Sequence, residues 1–373
     1  MGLFGTPSRR VVLLDVGSAS VGGGFLYKKK GESPILCYTV RKDVVPREGE
    51  SITDAMVRAL ESLGEQLIRE GAPALHRESG SSHIDLVLAS VGGPWQDTNV
   101  QTVSVQEQFP FTFTRKVMER AVRTAKPAPG RTISDTSVIS TSLNGYVTEK
   151  PWGKRAHRAD MTVLTSTIDT ITVKHINRVI RKLFHSHPVE ITAFAPLAYA
   201  VVQDLYPLQK DYIVLDVGGT STDAIIVKQG VLAGIGSYAH GVHDLLEAGK
   251  EAAHTAGGAS GIDQARNSAF ATRVAAAETQ WLSELKKMLC QFASEHPLPR
   301  AVFLLSDDGP REFLKQLIDA STMRTLWLSE EPLSLIPLAP AHTSSVVKAR
   351  GLAEGDVYLS MLALFYQDRL AKL

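Results

Sequence analysis

Short apolar runs closed by Asp or Gly alternate along the chain with stretches in which apolar residues recur at helical spacing. Val11 to Leu14 is a β-rich run ending in Asp15-Val16-Gly17, and after a short polar turn a second run extends from Gly22 to Tyr27. This pattern predicts strand, tight turn and strand. Residues 51 to 70 place Ile52, Met56, Leu60, Leu63 and Leu67 on one helical face behind Ser51, a good N-cap, which predicts a helix packed on that sheet. Ile84 to Ala89 reads as a buried strand, closed by Ser90 and the Gly92-Gly93-Pro94 breaker.

From about 97 to 166 the texture changes. Thr98 to Gln106, Thr136 to Leu143 and Met161 to Thr167 are strand-like, Thr114 can cap a helix through Ala125, and Asn144-Gly145 is a turn signal. The stretch is expected to be a small α+β subdomain inserted in the first half, with Tyr146 to Ala159 as an exposed loop.

A helix over 169 to 185, the strand Val189 to Phe194 and a helix over Pro196 to Leu205 return the chain to a βα layout. Tyr212 to Leu215 then ends in Asp216-Val217-Gly218-Gly219, with a partner strand at Ala224 to Val227. Residues 242 to 295 read as largely helical, broken by the glycine-rich stretch 255 to 261. The strand Ala301 to Leu305, a helix over Arg311 to Ala320 and an apolar helix over 353 to 371 complete the chain.

With 373 residues and 44% hydrophobic composition, the chain is long enough for two lobes with a core each. Lys plus Arg (40) nearly balance Asp plus Glu (39), so no chain-wide field collects nucleic acid or anionic lipid. Cys37 and Cys290, one in each half, make neither a disulfide framework nor a metal pair, and a reducing compartment is expected. No apolar run approaches the roughly 20 residues that cross a bilayer, and no signal-peptide core opens the chain.

The informative feature is an internal repeat. Asp15-Val16-Gly17-Ser18-Ala19-Ser20 and Asp216-Val217-Gly218-Gly219-Thr220-Ser221 share Asp, Val, Gly and the last Ser in order, each between an apolar strand and its partner. A strand-end Asp can hold Mg²⁺ directly or through water. Glycine lets backbone N–H groups approach a phosphate oxygen, and Ser and Thr hydroxyls add donors. Two such hairpins facing each other would clamp a polyphosphate and its cation. Asp223 reads more readily as a turn carboxylate, and the His185 and His187 pair has no third ligand at metal spacing.

These residues resemble the actin-like ATPase superfamily, whose two lobes, duplicated ribonuclease-H-like domains, each offer one phosphate hairpin to a nucleotide between them. Ala195-Pro196-Leu197-Ala198-Tyr199-Ala200 resembles its first connecting helix, and the insertion at 97 to 166 resembles that of the PilM and FtsA group. The resemblance implies an α/β two-lobed fold: 1–96 and 167–207 as first lobe, 97–166 as insertion, and 208–373 as second lobe with a helical part at about 242–300. It implies ATP and Mg²⁺ as cofactors, with Asp15 and Asp216 organising the metal and Gly17, Ser18, Ala19, Ser20, Gly218, Gly219, Thr220 and Ser221 on phosphates. Two departures stand out. Ala195 occupies a place where related ATPases can carry an acidic residue that orients water, so at most a weak ATPase is expected. Only Gly309 of Asp307-Asp308-Gly309-Pro310 matches the expected Gly-Gly turn on the adenine side.

Within the group, PilM-like proteins grip the short tail of an inner-membrane partner of a type IV pilus machine, and FtsA-like proteins tether division filaments through their own C-terminal amphipathic helix. This chain ends directly after an apolar helix with no separate basic one, which favours the PilM-like alternative. The expectation is a cytoplasmic, bacterial, nucleotide-binding scaffold, peripheral to the inner membrane and capable of self-assembly. A division scaffold, a nucleotide-free pseudo-ATPase scaffold and a small-molecule kinase are the rivals.

Overall fold

Each of the repeated hairpins heads its own β-sheet. A computed structural model of the chain describes residues 8–123, 126–185, 188–246, 262–294, 297–321, 323, 326–327, 333–353 and 355–371. In the first half, β1 (Ser8–Val16), β2 (Ser20–Lys29) and β3 (Ile35–Asp43) form an antiparallel meander, and β1 also pairs in parallel with β4 (Leu86–Val91). Between β3 and β4 run α1 (Ile52–Gln66) and α2 (Ala72–Ser79). Ser51 caps α1 by accepting from the Asp54 N–H.

The single helix expected over 51 to 70 is instead broken by a π-helical turn, Leu67–Gly71. Pro73 in the first turn of α2 offers no N–H to the carbonyl of Arg69, so the regular bond is missing there. The wide turn seats Gly71 against the rings of Phe25 and Tyr38.

The insertion contains β5 (Gln96–Thr112), α3 (Arg115–Val122), β6 (Arg131–Leu143), β7 (Tyr146–Val147) and β8 (Arg155–Asp169), in sheet order β5-β8-β6-β7. Phe113, Ala121, Met161 and Val163 give it a core of its own. The span Tyr146 to Ala159, expected as a loop, is partly strand. Asn144 (φ 51°) makes the turn, and its side-chain oxygen accepts from the N–H groups of His157 and Arg158 at 2.9 and 3.1 Å, tying β6 to β8. Thr114 precedes α3 in extended conformation without a side-chain capping bond, and α3 ends at Val122. Residues 124 and 125 of the expected helix lie outside the described residues.

After α4 (Thr170–Phe184), β9 (Val189–Ala193) pairs in parallel with β4, and α5 (Phe194–Leu205) leads to the second sheet. There β10 (Tyr212–Val217), β11 (Thr222–Lys228) and β12 (Val231–Tyr238) repeat the meander. The helix α6 (Ile262–Ala293) follows, then β13 (Ala301–Leu305), α7 (Asp308–Ala320) and β14 (Ser334–Pro337). The glycine-rich stretch 255 to 261 lies outside the described residues.

The two sheets run β3-β2-β1-β4-β9 and β12-β11-β10-β13-β14, with the same sequence of antiparallel and parallel pairings. The duplication read from two six-residue motifs therefore extends over a five-stranded unit.

The first sheet has a sixth strand. β15 (Lys348–Leu352) pairs in parallel with β3, and α8 (Val357–Ala371) follows it. This corrects the boundary 208–373: β15 belongs to the first sheet, and α8 packs between the two sheets. Helices α5 and α8 share one core with both sheets, in which Val11, Leu13 and Leu88 meet Val214, Ile225 and Phe303 around Phe194, Leu359 and Leu362. Each such buried side chain contributes on the order of 1.5–3 kcal/mol. The outer faces are closed by α1 and α4 over the first sheet and by α6 and α7 over the second, where Trp281, Leu285 and Ile318 pack.

Candidate functional site

The helices shared between the sheets bring the tips of β1 and β10 together. Asp15, Gly17, Ser18, Ala19 and Ser20 from the first hairpin and Asp216, Gly218 and Ser221 from the second line one cavity. The tight turns close identically, with Gly17 N–H donating to Ser20 O at 3.1 Å and Gly218 N–H donating to Ser221 O at 3.0 Å. Thr220 belongs to the same contact. Gly309 does not: it sits in the first turn of α7 with open space around it and lines neither this cavity nor its neighbour. Ala195 also lies outside the lining, and its N–H donates to the Gln96 side chain at 3.0 Å.

The hairpins touch directly. Ser18 Oγ accepts from the N–H groups of Gly219 and Thr220 at 3.0 and 3.1 Å, so donors expected to hold phosphate already have a partner. A Cβ built on Gly219 would stand 2.5 Å from the backbone carbonyl of Ser18 and 2.6 Å from the N of Ala19. Only glycine permits that approach. The cavity that remains measures about 30 Å³, room for roughly two waters. Thr220 Oγ1, outside the lining of that cavity, is buried without a hydrogen-bond partner among the described residues.

Charge is arranged unevenly across the gap. Asp15 accepts from Ser90 Oγ at 3.0 Å and from both terminal nitrogens of Arg41 at 3.1 Å. Burial pushes its carboxyl up to about 6, although Arg41 pulls the other way. Asp216 accepts from the Tyr358 hydroxyl at 3.1 Å. Burial, and then the charges of Asp223 and Asp15, hold Asp216 well above the usual carboxylate range.

Asp223 lies within β11, opposite Asp216 in the ladder, and faces the cavity, so it is not the turn carboxylate that its sequence context suggested. Gln96 Nε2 donates to it at 2.8 Å, and burial raises its pKa despite the bonds from Ser237 and Gln96.

Sequence reasoning missed Arg41, Gln96, Asp356 and Tyr358. For Arg41 the available signal was Gly22: a glycine inside a strand marks a close approach by something else, here the guanidinium.

Mg·ATP does not fit this closed arrangement. Ser18 would have to release Gly219 and Thr220, and a metal at Asp15 would have to displace Arg41 from Oδ2 or Ser90 from Oδ1. Among the described residues no group of three or more His, Cys, Asp or Glu side chains is placed to hold a metal ion, and no helix is long and apolar enough to cross a membrane.

Two matching five-stranded units, joined by shared helices and meeting hairpin to hairpin, make this an actin-like ATPase fold. The chain is similar to the PilM–PilN type IV pilus biogenesis complex structure, at 15% identity over 96% of this chain and 98% of that one, with a TM-score of 0.60. A Bacteroides thetaiotaomicron protein of actin-like ATPase fold (8% identity, 96% of each chain, TM-score 0.43) and the ethanolamine utilization protein EutJ of Carboxydothermus hydrogenoformans (13%, 98% and 92%, TM-score 0.44) match more loosely. No protein-family model matches the chain, and no curated protein does.

Proposed function

We propose that the chain is a PilM-like scaffold, held at the cytoplasmic face of a bacterial inner membrane by the short tail of a membrane partner in type IV pilus assembly. The observation that supports this is the similarity to the PilM–PilN structure along nearly the full length of both chains, insertion included. The insertion also presents Phe109, Tyr146 and Trp152 to solvent, 76%, 79% and 53% exposed, as anchors for a partner segment. In this reading the chain works as a rigid body. The closed gap favours the nucleotide-free form over an ATP-binding one, because the phosphate donors of Gly219 and Thr220 are occupied by Ser18.

The test is co-purification of the full chain with a type IV pilus inner-membrane component that carries a short cytoplasmic tail. A stoichiometric complex is expected, and it should disappear when the tail is removed. A complex that survives removal of the tail, or no complex with any such component of the same cell, sinks the proposal.

A further inference from the structure

We propose that Arg41 is the resident cation of the gap between the lobes, occupying the place a divalent metal would need and setting the site against Mg²⁺-bound nucleotide. The position is built by strand register. Arg41 on β3 stands opposite Gly22 on β2, which stands opposite Asp15 on β1, which stands beside Ser90 on β4. Residues in register across a sheet share a face, so the guanidinium lies over Gly22 to reach Asp15. A Cβ on Gly22 would stand 2.6 Å from Nη2 of Arg41, so glycine clears the path.

Three carboxylates from three parts of the chain surround that guanidinium. Nη1 and Nη2 each donate to Asp15 Oδ2 at 3.1 Å, and Nη1 donates to Ser20 Oγ at 2.7 Å. Nε and Nη2 form a two-point pair with Asp356 at 2.8 and 3.0 Å. Asp307, just after β13 in the second half, lies 3.6 Å from Nη1. The guanidinium also sits 5.0 Å from the centre of the Tyr358 ring. Asp356 in turn accepts from the Leu359 N–H at 2.9 Å at the start of α8. One side chain therefore ties the first hairpin, the second sheet and the helix between them.

Arginine keeps its charge throughout the accessible pH range and matches carboxylates through a planar fork. Among the described residues, Arg41 is the sole cation lining the cavity. A Mg²⁺ ion on Asp15 would have to take Oδ2 from this fixed positive charge or displace Ser90 from Oδ1 beside it, and in either place the two cations repel.

This inference goes beyond the scaffold reading, since partner capture can fail while Arg41 still excludes the metal, and the reverse. The experiment titrates the full chain with Mg·ATP by calorimetry and compares melting in MgCl₂ with melting in NaCl of equal ionic strength. The wild type should show no saturable binding up to about 1 mM Mg·ATP and no Mg²⁺-specific change in Tm. Arg41→Ala should melt lower and regain about 2–4 °C in MgCl₂ as the ion takes the vacated carboxylates. Arg41→Lys, which keeps a cation, should show no Mg²⁺ response. Saturation of the wild type at or below 1 mM overturns the proposal. So does an Arg41→Ala chain indifferent to Mg²⁺, or a response in Arg41→Lys equal to that in Arg41→Ala. If Arg41→Ala does not fold, the wild-type titration still decides, and an Arg41→Lys chain whose Tm rises in MgCl₂ by about 2 °C or more overturns the proposal.

Discussion

Gly219→Ala tests whether the hairpins touch in solution. Gly219 does not have the left-handed φ that would itself penalise alanine, so the substitution reports only on the space beside it. The new methyl carbon would meet the Ser18 carbonyl at 2.5 Å and the Ala19 nitrogen at 2.6 Å, where contacts of about 3.5–4.0 Å are comfortable. Those neighbours are backbone, and no side chain can swing aside. The hairpins must separate by about 1 Å, which stretches the two bonds to Ser18 Oγ. Overpacking of this kind costs about 1–3 kcal/mol, and each weakened bond adds up to about 1 kcal/mol. Gly309→Ala is the control: it has open space, lies in the first turn of α7, and should gain roughly 0.5–1 kcal/mol from helix propensity. Urea denaturation gives the stabilities, and small-angle scattering shows whether the lobes part. A Gly219→Ala chain with unchanged urea midpoint and unchanged radius of gyration would falsify direct contact between the hairpins.

Tyr358→Phe removes the donor to buried Asp216 while keeping the ring against Arg41, and should lower stability by about 1–3 kcal/mol; an unchanged urea midpoint would mean that Asp216 has another partner. Asp15 titrates at about 6 in the fold against an ordinary 3.8, and Asp216 and Asp223 are raised as well. The folded chain thus holds protons that the unfolded chain releases, and for Asp15 this stability is complete below pH 3.8 and is lost as pH rises through about 6. For Asp15 it amounts to at most about 3 kcal/mol. Urea midpoints should fall from pH 5 to 7.5, and Asp216→Asn should flatten the fall; midpoints that climb over this interval contradict the assignment.

The hairpins were legible in the sequence because everything that makes them is local. An apolar strand, a terminal Asp, a glycine turn and a second strand lie within about a dozen residues, and the second copy confirms the first. The lobe boundary was harder to read. Lys348 to Leu352 is a polar strand with no apolar alternation, and its place beside β3 depends on pairing with residues more than three hundred positions away. The same holds for Arg41, which looks like an ordinary polar residue near the end of a strand. Its neighbours Asp15, Asp307 and Asp356 converge only when three separate segments fold together. The sequence reading leaves out the strands Ile35–Asp43 and Val231–Tyr238, and the register that aims Arg41 at Asp15 runs through the first of them.

The duplicated units have diverged where they matter most for chemistry. At equivalent places in the two meanders, the first sheet carries Asp15, Gly22 and Arg41, and the second carries Asp216, Asp223 and Ser237. One sheet thus supplies a cation and a cleared path for it, while the other doubles its buried carboxylates and leaves them with hydroxyl and amide partners. Closing the lobes sets these unequal halves face to face, and Asp307 of the second half comes within reach of Arg41. Buried ion networks are weak sources of net stability, because desolvation offsets most of their attraction, but they penalise every arrangement that breaks them. Such a network suits a body that must hold one shape between its lobes more than a clamp that opens and closes on each turnover. In the scaffold proposed above, recognition would fall to the outer surface, where the insertion, with a core of its own, exposes Phe109, Tyr146 and Trp152.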